Sequence, residues 1–462
     1  MKRRHSFNNF CIHILYGSII SIVARNIVTC CMNKSTFLFI GAGLLASLMV
    51  TGQDKAAVIS QRAEALQVKL SEWRRHIHQN PELSNREFKT QQYILTHLKK
   101  LGIQTQALAK TGVVGILTGG RPGPVIALRA DMDALPVLER NELPFKSTAK
   151  GEYLGKEVPV MHACGHDAHV AMLMGAAELL AGMKADIPGT VKFIFQPAEE
   201  GAPGDEEGGA SLMVKDGVLE HPKVAAVFGM HIESWIEEGK VFYKPGPFMA
   251  ASDWFTIKIK GSQSHGAQPW KGVDPVAISA QIITALQQIV SRQADLTKAP
   301  VVLTVGKINA GVRNNIIPEE LEMAGTIRTF DTAMQQDVHR RMLNIATGIA
   351  AANGATATVT IKNNTPVTNN SPELTRKIIP ILKKAVGNEN VQETNWVTGA
   401  EDFAFYGQRA PAVFLYYGGM PKGNDPAKAP PHHTPDFMIS DRMLYNGVKI
   451  FCNLVFDYAA IP

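Results

Sequence analysis

Cysteine is scarce and unevenly placed. Of five in 462 residues, Cys11, Cys30 and Cys31 lie within the first 31, which leaves Cys164 and Cys452 for the rest of the chain. Two thiols exclude a disulfide framework but allow one bridge, or one thiol that does chemistry. Acidic residues are absent from positions 1–52, which hold Lys2, Arg3, Arg4, Arg25 and Lys34. The net charge of +6 therefore belongs mostly to that segment. Without its five, 42 basic residues face 41 acidic ones, and so balanced a body has no electrostatic footprint for nucleic acid. Mean hydropathy near zero with 39 Gly and 26 Pro excludes collagen, low-complexity disorder and a polytopic membrane protein. The length predicts two or three domains with a large core.

The apolar run at 37–50 follows Met32 and Lys34 and ends at Thr51 and Gly52. A short basic start, an apolar middle and small residues form the pattern of a secretory signal. The run is shorter than the ~20 residues of a bilayer span. Residues 1–52 are thus expected to be a leader, with Met32 as a possible true start and a secreted or periplasmic product that has no membrane association after cleavage. An uncleaved N-terminal membrane anchor is the alternative.

Beyond the leader, Ala57, Leu66, Leu70, Trp73 and Ile77 recur at helical spacing, and a second helix is predicted over 88–101. Alternation follows. Strands are predicted at 125–133, 190–201 and 225–232, with a helix at 169–183. Polar side chains cluster just past the strand ends, where open α/β sheets bind ligands. A Pro/Gly/Ala stretch at 245–251 reads as a hinge. Residues 252–363 then read βαββαβ, a ferredoxin-like unit, before helix–strand alternation resumes. The expected divisions are a catalytic part at 54–248, an inserted domain at 249–364 and a second catalytic part at 365–462.

The sequence MHACGHDAH (161–169) sets His162, Cys164, His166, Asp167 and His169 within nine residues. A thiolate with an imidazole two positions on suits Zn²⁺ or another late divalent metal, whereas Mg²⁺ and Ca²⁺ prefer oxygen. Alone, such a pair is more often a buried thiol beside a helix cap. In PAEEG (197–201), Glu199 and Glu200 follow a strand. Adjacent residues of a strand point to opposite sides, so one carboxylate can ligate a metal while its neighbour takes a proton from water. GMHIE (229–233) adds His231, and PPHHTPDF (430–437) adds His432 and His433. No one of these decides. Together they make a ligand count suited to two metals about 3.5–4 Å apart that share a bridging side chain.

The order of DMDALP (131–136), MHACGHDAH, FQPAEEG, GMH, SHGAQP (264–269), NIIP (315–318), GTIR (325–328), GAEDF (399–403) and HHTPDF resembles the dinuclear amidohydrolases related to aminoacylase. It is most similar to the branch of hippurate hydrolase, N-acetyl-diaminopimelate deacetylase and the plant auxin–amino acid conjugate hydrolases. The likeness runs from about residue 65 to 460. It implies an α/β zinc-peptidase-like catalytic domain, with a mixed sheet flanked by helices, and an inserted ferredoxin-like α+β lid and dimerisation domain. It also implies two divalent ions per subunit, Mn²⁺ or Zn²⁺. Cys164 resembles the bridging ligand, in place of an Asp in sister branches. His166, Glu200, His231 and His433 match the other ligands, with His433 preferred to His432 because it directly precedes Thr434-Pro435. Glu199 matches the general base acting on water, and Asp133 the residue that orients the site. Sister branches have a His ligand where this chain has Asp131, and His166 would supply that imidazole. His265 would reach the substrate carbonyl across a homodimer, while Asn315 and Arg328 would read an α-carboxylate. The implied reaction is hydrolysis of an N-acyl amino acid. A metallo-dipeptidase or carboxypeptidase acting on short peptides is the alternative, and an inactive binding module on the same fold the remote one.

Overall fold

The computed structural model describes residues 55–459, so the expected leader lies outside the described residues. The helical N-terminal stretch is three helices: α1 (Lys55–Ala65), α2 (Gln67–Gln79) and α3 (Phe88–Lys100). In α2 the buried residues Leu70, Arg74 and Ile77 fall at helical spacing and form the face turned to the core. The chain then lays down β1 (Gln104–Leu108), β2 (Gly112–Thr118) and β3 (Arg121–Asp131). Helix α4 (His166–Ala181) is buried almost all round. Its Ala, Met, Leu and Gly content suits a helix packed between a sheet and other helices. Strands β4 (Pro188–Gln196), β5 (Ala226–Glu237) and β6 (Val241–Tyr243) follow.

The insertion comprises β7 (Ala251–Lys260), α5 (Pro275–Gln288), β8 (Val301–Ala310), β9 (Glu320–Thr329), α6 (Thr332–Ala352) and β10 (Thr356–Thr365). This is the βαββαβ order read from the sequence. The sheet order β8-β9-β7-β10 is antiparallel throughout. Alternate residues Phe255, Ile257 and Ile259 of β7 meet Ile282, Leu286, Val338 and Met342 of the helices in a separate core. The Asp274 carboxylate accepts Val276 N–H at 2.8 Å and caps α5, with Pro275 at its first position. The five residues that follow α5, Ile289–Gln293, are π-wound. The hinge stretch is not loose: Gly246–Met249 pairs antiparallel with the returning Thr368–Asn370, so both crossings form one ribbon.

After α7 (Pro372–Val386) come β11 (Val391–Glu393), β12 (Ala412–Met420) and α8 (Leu444–Tyr458). The completed main sheet runs β1-β2-β4-β3-β5-β12-β6-β11. Its centre, β4-β3-β5-β12, is parallel, and it is flanked by antiparallel pairings. Helices α1–α4, α7 and α8 contribute to one large core on this sheet. The parallel strands bring their carboxyl ends together on one rim. Among the described residues no helix is long and apolar enough to cross a membrane.

Candidate metal centre

Cys164 and His166 sit on the turn that enters α4. Gly165 between them has φ +90°, and a Cβ there would meet Ile232 Cγ2 at 2.4 Å, so only glycine fits. The helix starts at His166, three residues earlier than its apolar pattern predicts. Asp167, in its first turn, accepts from Arg74 Nε at 2.7 Å and lies 2.8 Å from His78 Nδ1. Burial opposes ionisation of Asp167, but Arg74 and His78 outweigh it and hold the carboxyl well below its usual range. That buried latch fastens the ligand-bearing turn to α2.

Strand β4 stops at Gln196, so Glu199 and Glu200 do not diverge through strand pleating as expected. They diverge in a turn in which Ala198 holds φ +51°. Glu87 steadies that turn: one oxygen accepts Ala198 N–H at 2.9 Å, the other the Thr111 hydroxyl at 2.6 Å. His231 is likewise not at a strand end, because β5 continues to Glu237 against β12. His433 has φ +62°, and its N–H donates to the Ala163 carbonyl at 2.8 Å. Left-handed backbone at Ala198 and His433 costs about 1–3 kcal/mol each, and both positions adjoin the cluster.

These turns bring all five expected ligands together. Cys164 Sγ lies 3.3 Å from His231 Nε2 and 3.3 Å from His433 Nε2, which is 3.1 Å from Glu200 Oε1. His166 Nε2 is 4.0 Å from Glu199 Oε2 and from Glu200 Oε1. Among the donor groups that result, the triads Cys164–His166–His231 and Cys164–Glu200–His433 share the thiol. Asp133 stands behind them. Its carbonyl faces His166 Nδ1 at 2.9 Å, and one carboxylate oxygen accepts Ser84 O–H at 2.7 Å and Glu200 N–H at 3.1 Å. His169 is committed elsewhere: Nδ1 donates to Asp131 at 2.5 Å and Nε2 accepts Ile232 N–H at 2.7 Å. His432 is held through Nε2 by the Ile232 carbonyl at 3.0 Å. Both therefore lack a free ring nitrogen aimed at the thiol.

The electrostatics of these groups favour a bound positive charge. Burial, then Glu401, Glu200, Asp402 and Asp131, push the Glu199 carboxyl well above its usual range. Burial, then Glu200, Glu199, Asp131 and Glu233, push the Cys164 thiol up. Burial works against charge on His166, yet Asp131, Asp133 and Glu200 overcome it and raise its pKa to about 10. His166 Nε2 is fully buried and makes no hydrogen bond. An unpaired imidazole nitrogen beside a thiol and crowded carboxylates is the donor set of a borderline divalent cation such as Zn²⁺. The residues fit the group.

One device beneath the site went unread in the sequence, although its parts lie in the quoted motifs. Arg129, fully buried on β3, donates to Gln196 at 2.8 Å, Asp131 at 2.5 Å, Glu401 at 2.9 Å and Asp402 at 3.1 Å. An arginine within an apolar strand that runs into an acid is the only local signal. Its partners come from β4 and the GAEDF turn, which no spacing links to it.

The residues expected in the lid are placed apart from the cluster. His265 is exposed on a short ribbon in which Ser264–His265 pairs with Ile316–Ile317. Asn315 is its neighbour there, its carbonyl accepting Gly266 N–H at 2.8 Å. Arg328 lies on β9, half-buried and without a hydrogen bond among the described residues, and burial lowers its pKa from the usual arginine value. No hydrogen bond or ion pair joins these three to the triads among the described residues.

Comparison with known proteins agrees with this geometry. Residues 127–457 match the family model described as Peptidase family M20/M25/M40. The chain is 39% identical over 389 residues to thermostable carboxypeptidase 2 of Saccharolobus solfataricus, covering 84% of this chain and 94% of the relative. It is 45% identical over 284 residues to the N-acyl-L-amino acid amidohydrolase of Geobacillus stearothermophilus, covering 61% and 73%. A solved structure described as a dinuclear metal binding peptidase from the M20 family, the Bacillus subtilis YXEP protein, superposes with TM-score 0.71 at 34% identity, over 86% of this chain and 99% of that one. With its matched span, its fold and its shared-thiol cluster in agreement, the chain belongs to peptidase family M20/M25/M40.

Proposed function

We propose that the protein hydrolyses N-acyl amino acids, releasing a carboxylic acid and a free amino acid. The observation that carries this is the pair of donor triads joined at Cys164, with Glu199 4.0 Å from His166 and outside both triads. Cys164, His166, Glu200, His231 and His433 would hold two divalent ions, Zn²⁺ or Mn²⁺. When bound, such ions supply Lewis acidity to the scissile carbonyl and to water. Glu199 takes the proton of the attacking water and returns it to the leaving nitrogen. Asp133 holds His166 and the Glu200 backbone in place. Relatives are named as an amidohydrolase and as a carboxypeptidase, and for this chain the two readings use the same site and differ in the group on the acyl side.

The insertion at 249–364 would close over the site as a lid and join two copies in a homodimer, with 54–248 and 365–462 forming the catalytic part. His265, brought in from the second copy, would face the reacting carbonyl. Asn315 and the half-buried Arg328, whose side chain makes no hydrogen bond among the described residues, would take the α-carboxylate, for which a guanidinium fork is well shaped. Export through the leader, to the periplasm or outside the cell, belongs to the same reading.

The test uses matched pairs of N-acyl amino acids and their amides. Arg328→Ala is expected to depress kcat/KM strongly for the acids and little for the amides, whereas His265→Ala depresses kcat for both. Equal losses on acid and amide for Arg328→Ala would remove the amino-acid substrate class. Efficient cleavage of dipeptides with inert acyl-amino acids would favour the carboxypeptidase reading.

The thiol is tested separately. Cys164 and Cys452 are both free and buried, so no bridge competes. Cys164→Ala should lower the metal content of the purified protein below two per chain, while Cys452→Ala leaves it unchanged. An unaltered metal content in Cys164→Ala would end the bridging role.

A further inference from the structure

Along β5 the residues His231, Glu233 and Trp235 alternate, so a strand's period of two places them side by side on one face. Glu233 is buried, 6% exposed. One of its oxygens accepts Trp235 Nε1–H at 2.7 Å; the other lies 3.2 Å from His231 Nδ1. That second contact is close but poorly directed, since Nδ1 makes no well-aligned hydrogen bond. His432 Nδ1 is 3.9 Å from the Glu233 oxygen that Trp235 already holds. With its Nε2–H given to the Ile232 carbonyl, neutral His432 presents only a lone pair there and cannot satisfy the carboxylate. His231 is therefore the donor left for the other oxygen, and Nδ1 the ring atom Glu233 selects for the proton.

We propose that Glu233 is a positioning residue for the metal centre: it holds His231 as the Nδ1–H tautomer, keeping the Nε2 lone pair turned to Cys164, and so sets the affinity of the Cys164–His166–His231 triad for a divalent cation. The inference rests on the metal-dependent reading above. It gives this triad the same arrangement on both imidazoles, because His166 Nδ1 faces an oxygen of Asp133 while its Nε2 is free. A ligating imidazole whose far nitrogen is tied to an oxygen acceptor is oriented and made more basic, and loss of that partner typically weakens metal binding about 10–100-fold. A bent contact of 3.2 Å needs only a small ring rotation to align.

The experiment titrates metal-stripped protein with Zn²⁺ against a chromogenic chelator. Wild type is expected to bind two ions. In Glu233→Gln, which keeps the shape, one ion should weaken about 10–100-fold and the other should not, with the melting temperature of the stripped protein unchanged. In the His231→Ala background, Glu233→Gln should add nothing further, because both changes act through one ring. A wild type that binds no ion would defeat the metal-dependent reading itself. Two ions in the wild type with unchanged affinities in Glu233→Gln would overturn the role of Glu233 alone. So would a further tenfold loss in the His231→Ala background, or three ions in the wild type with one missing from Glu233→Gln, which would make Glu233 a ligand. Long-range proton–nitrogen NMR of Zn²⁺-loaded wild type gives the tautomer without any substitution: Nδ1–H is expected at His231, and Nε2–H would overturn the proposal.

Discussion

Glu199→Gln is expected to lower kcat by about 10²–10⁴-fold, the usual worth of a general base, while two ions remain bound. Two independent features lead to this. Glu199 belongs to neither of the triads that share Cys164, and the group it forms with His166 and Glu200 lacks the thiol, so its amide leaves both shared-thiol triads intact. Its side chain is nevertheless near the centre, 4.0 Å from His166 Nε2 and 3.4 Å from the Asp402 N–H. Burial and four neighbouring carboxylates favour its protonated form, so it becomes a base only when bound cations balance that negative charge. Glutamine has the same shape and cannot accept the proton. Steady-state kinetics with metal analysis on the same preparation decides the matter: retention of more than about a tenth of kcat, against the general-base range, would place the proton elsewhere. Loss of an ion would instead make Glu199 a ligand.

Arg129→Met is expected to cost about 3–5 kcal/mol of folding stability, the cost of breaking a buried ion network by removing one partner. The guanidinium is wholly buried and serves Asp131, Glu401 and Asp402 at once. Without it three carboxylates share a dry site. Arg129→Lys should recover only part of the loss, because one ammonium cannot reproduce donors aimed in three directions. Urea unfolding of the metal-stripped variants measures this free of metal-binding energy. A loss below about 1 kcal/mol, the scale of an exposed pair, would show that the three acids are reached by water. The network also has a reach that matters for activity: Asp131 fixes His169, which receives the Ile232 N–H beside His231, and Asp402 presents its N–H to Glu199.

The chemistry-bearing motifs were legible because each is local. A thiol and an imidazole on one turn, two glutamates on another and a histidine pair before Thr-Pro are readable without knowing what they face. The βαββαβ order of the insertion was legible for a similar reason, since β7 and β9 alternate apolar and polar residues with a period of two and their helices carry clear apolar stripes. Boundaries were less so. The pattern over 169–183 omits the first turn of α4 because His166 and Asp167 are polar; Asp167 is buried against Arg74 and His78 from another helix, and His166 against Asp133. His231 read as the end of a strand because Glu233 is charged, yet that charge is buried and paired. Composition and order thus determined by themselves that this is an α/β chain with an inserted α+β unit and a cluster of metal-binding residue types. Tertiary structure alone decided which histidine nitrogens are free, that Cys164 stands between two triads, and that Arg129 lies against Asp131, Glu401 and Asp402 and Glu233 against His231. The physical reason is that a ligand's identity is a property of one residue, whereas the direction of its lone pair is set by whatever hydrogen-bonds its other side, and that partner is fixed only by the folded backbone, whether it stands two residues along a strand, as Glu233 does from His231, or tens of residues away, as Asp133 does from His166.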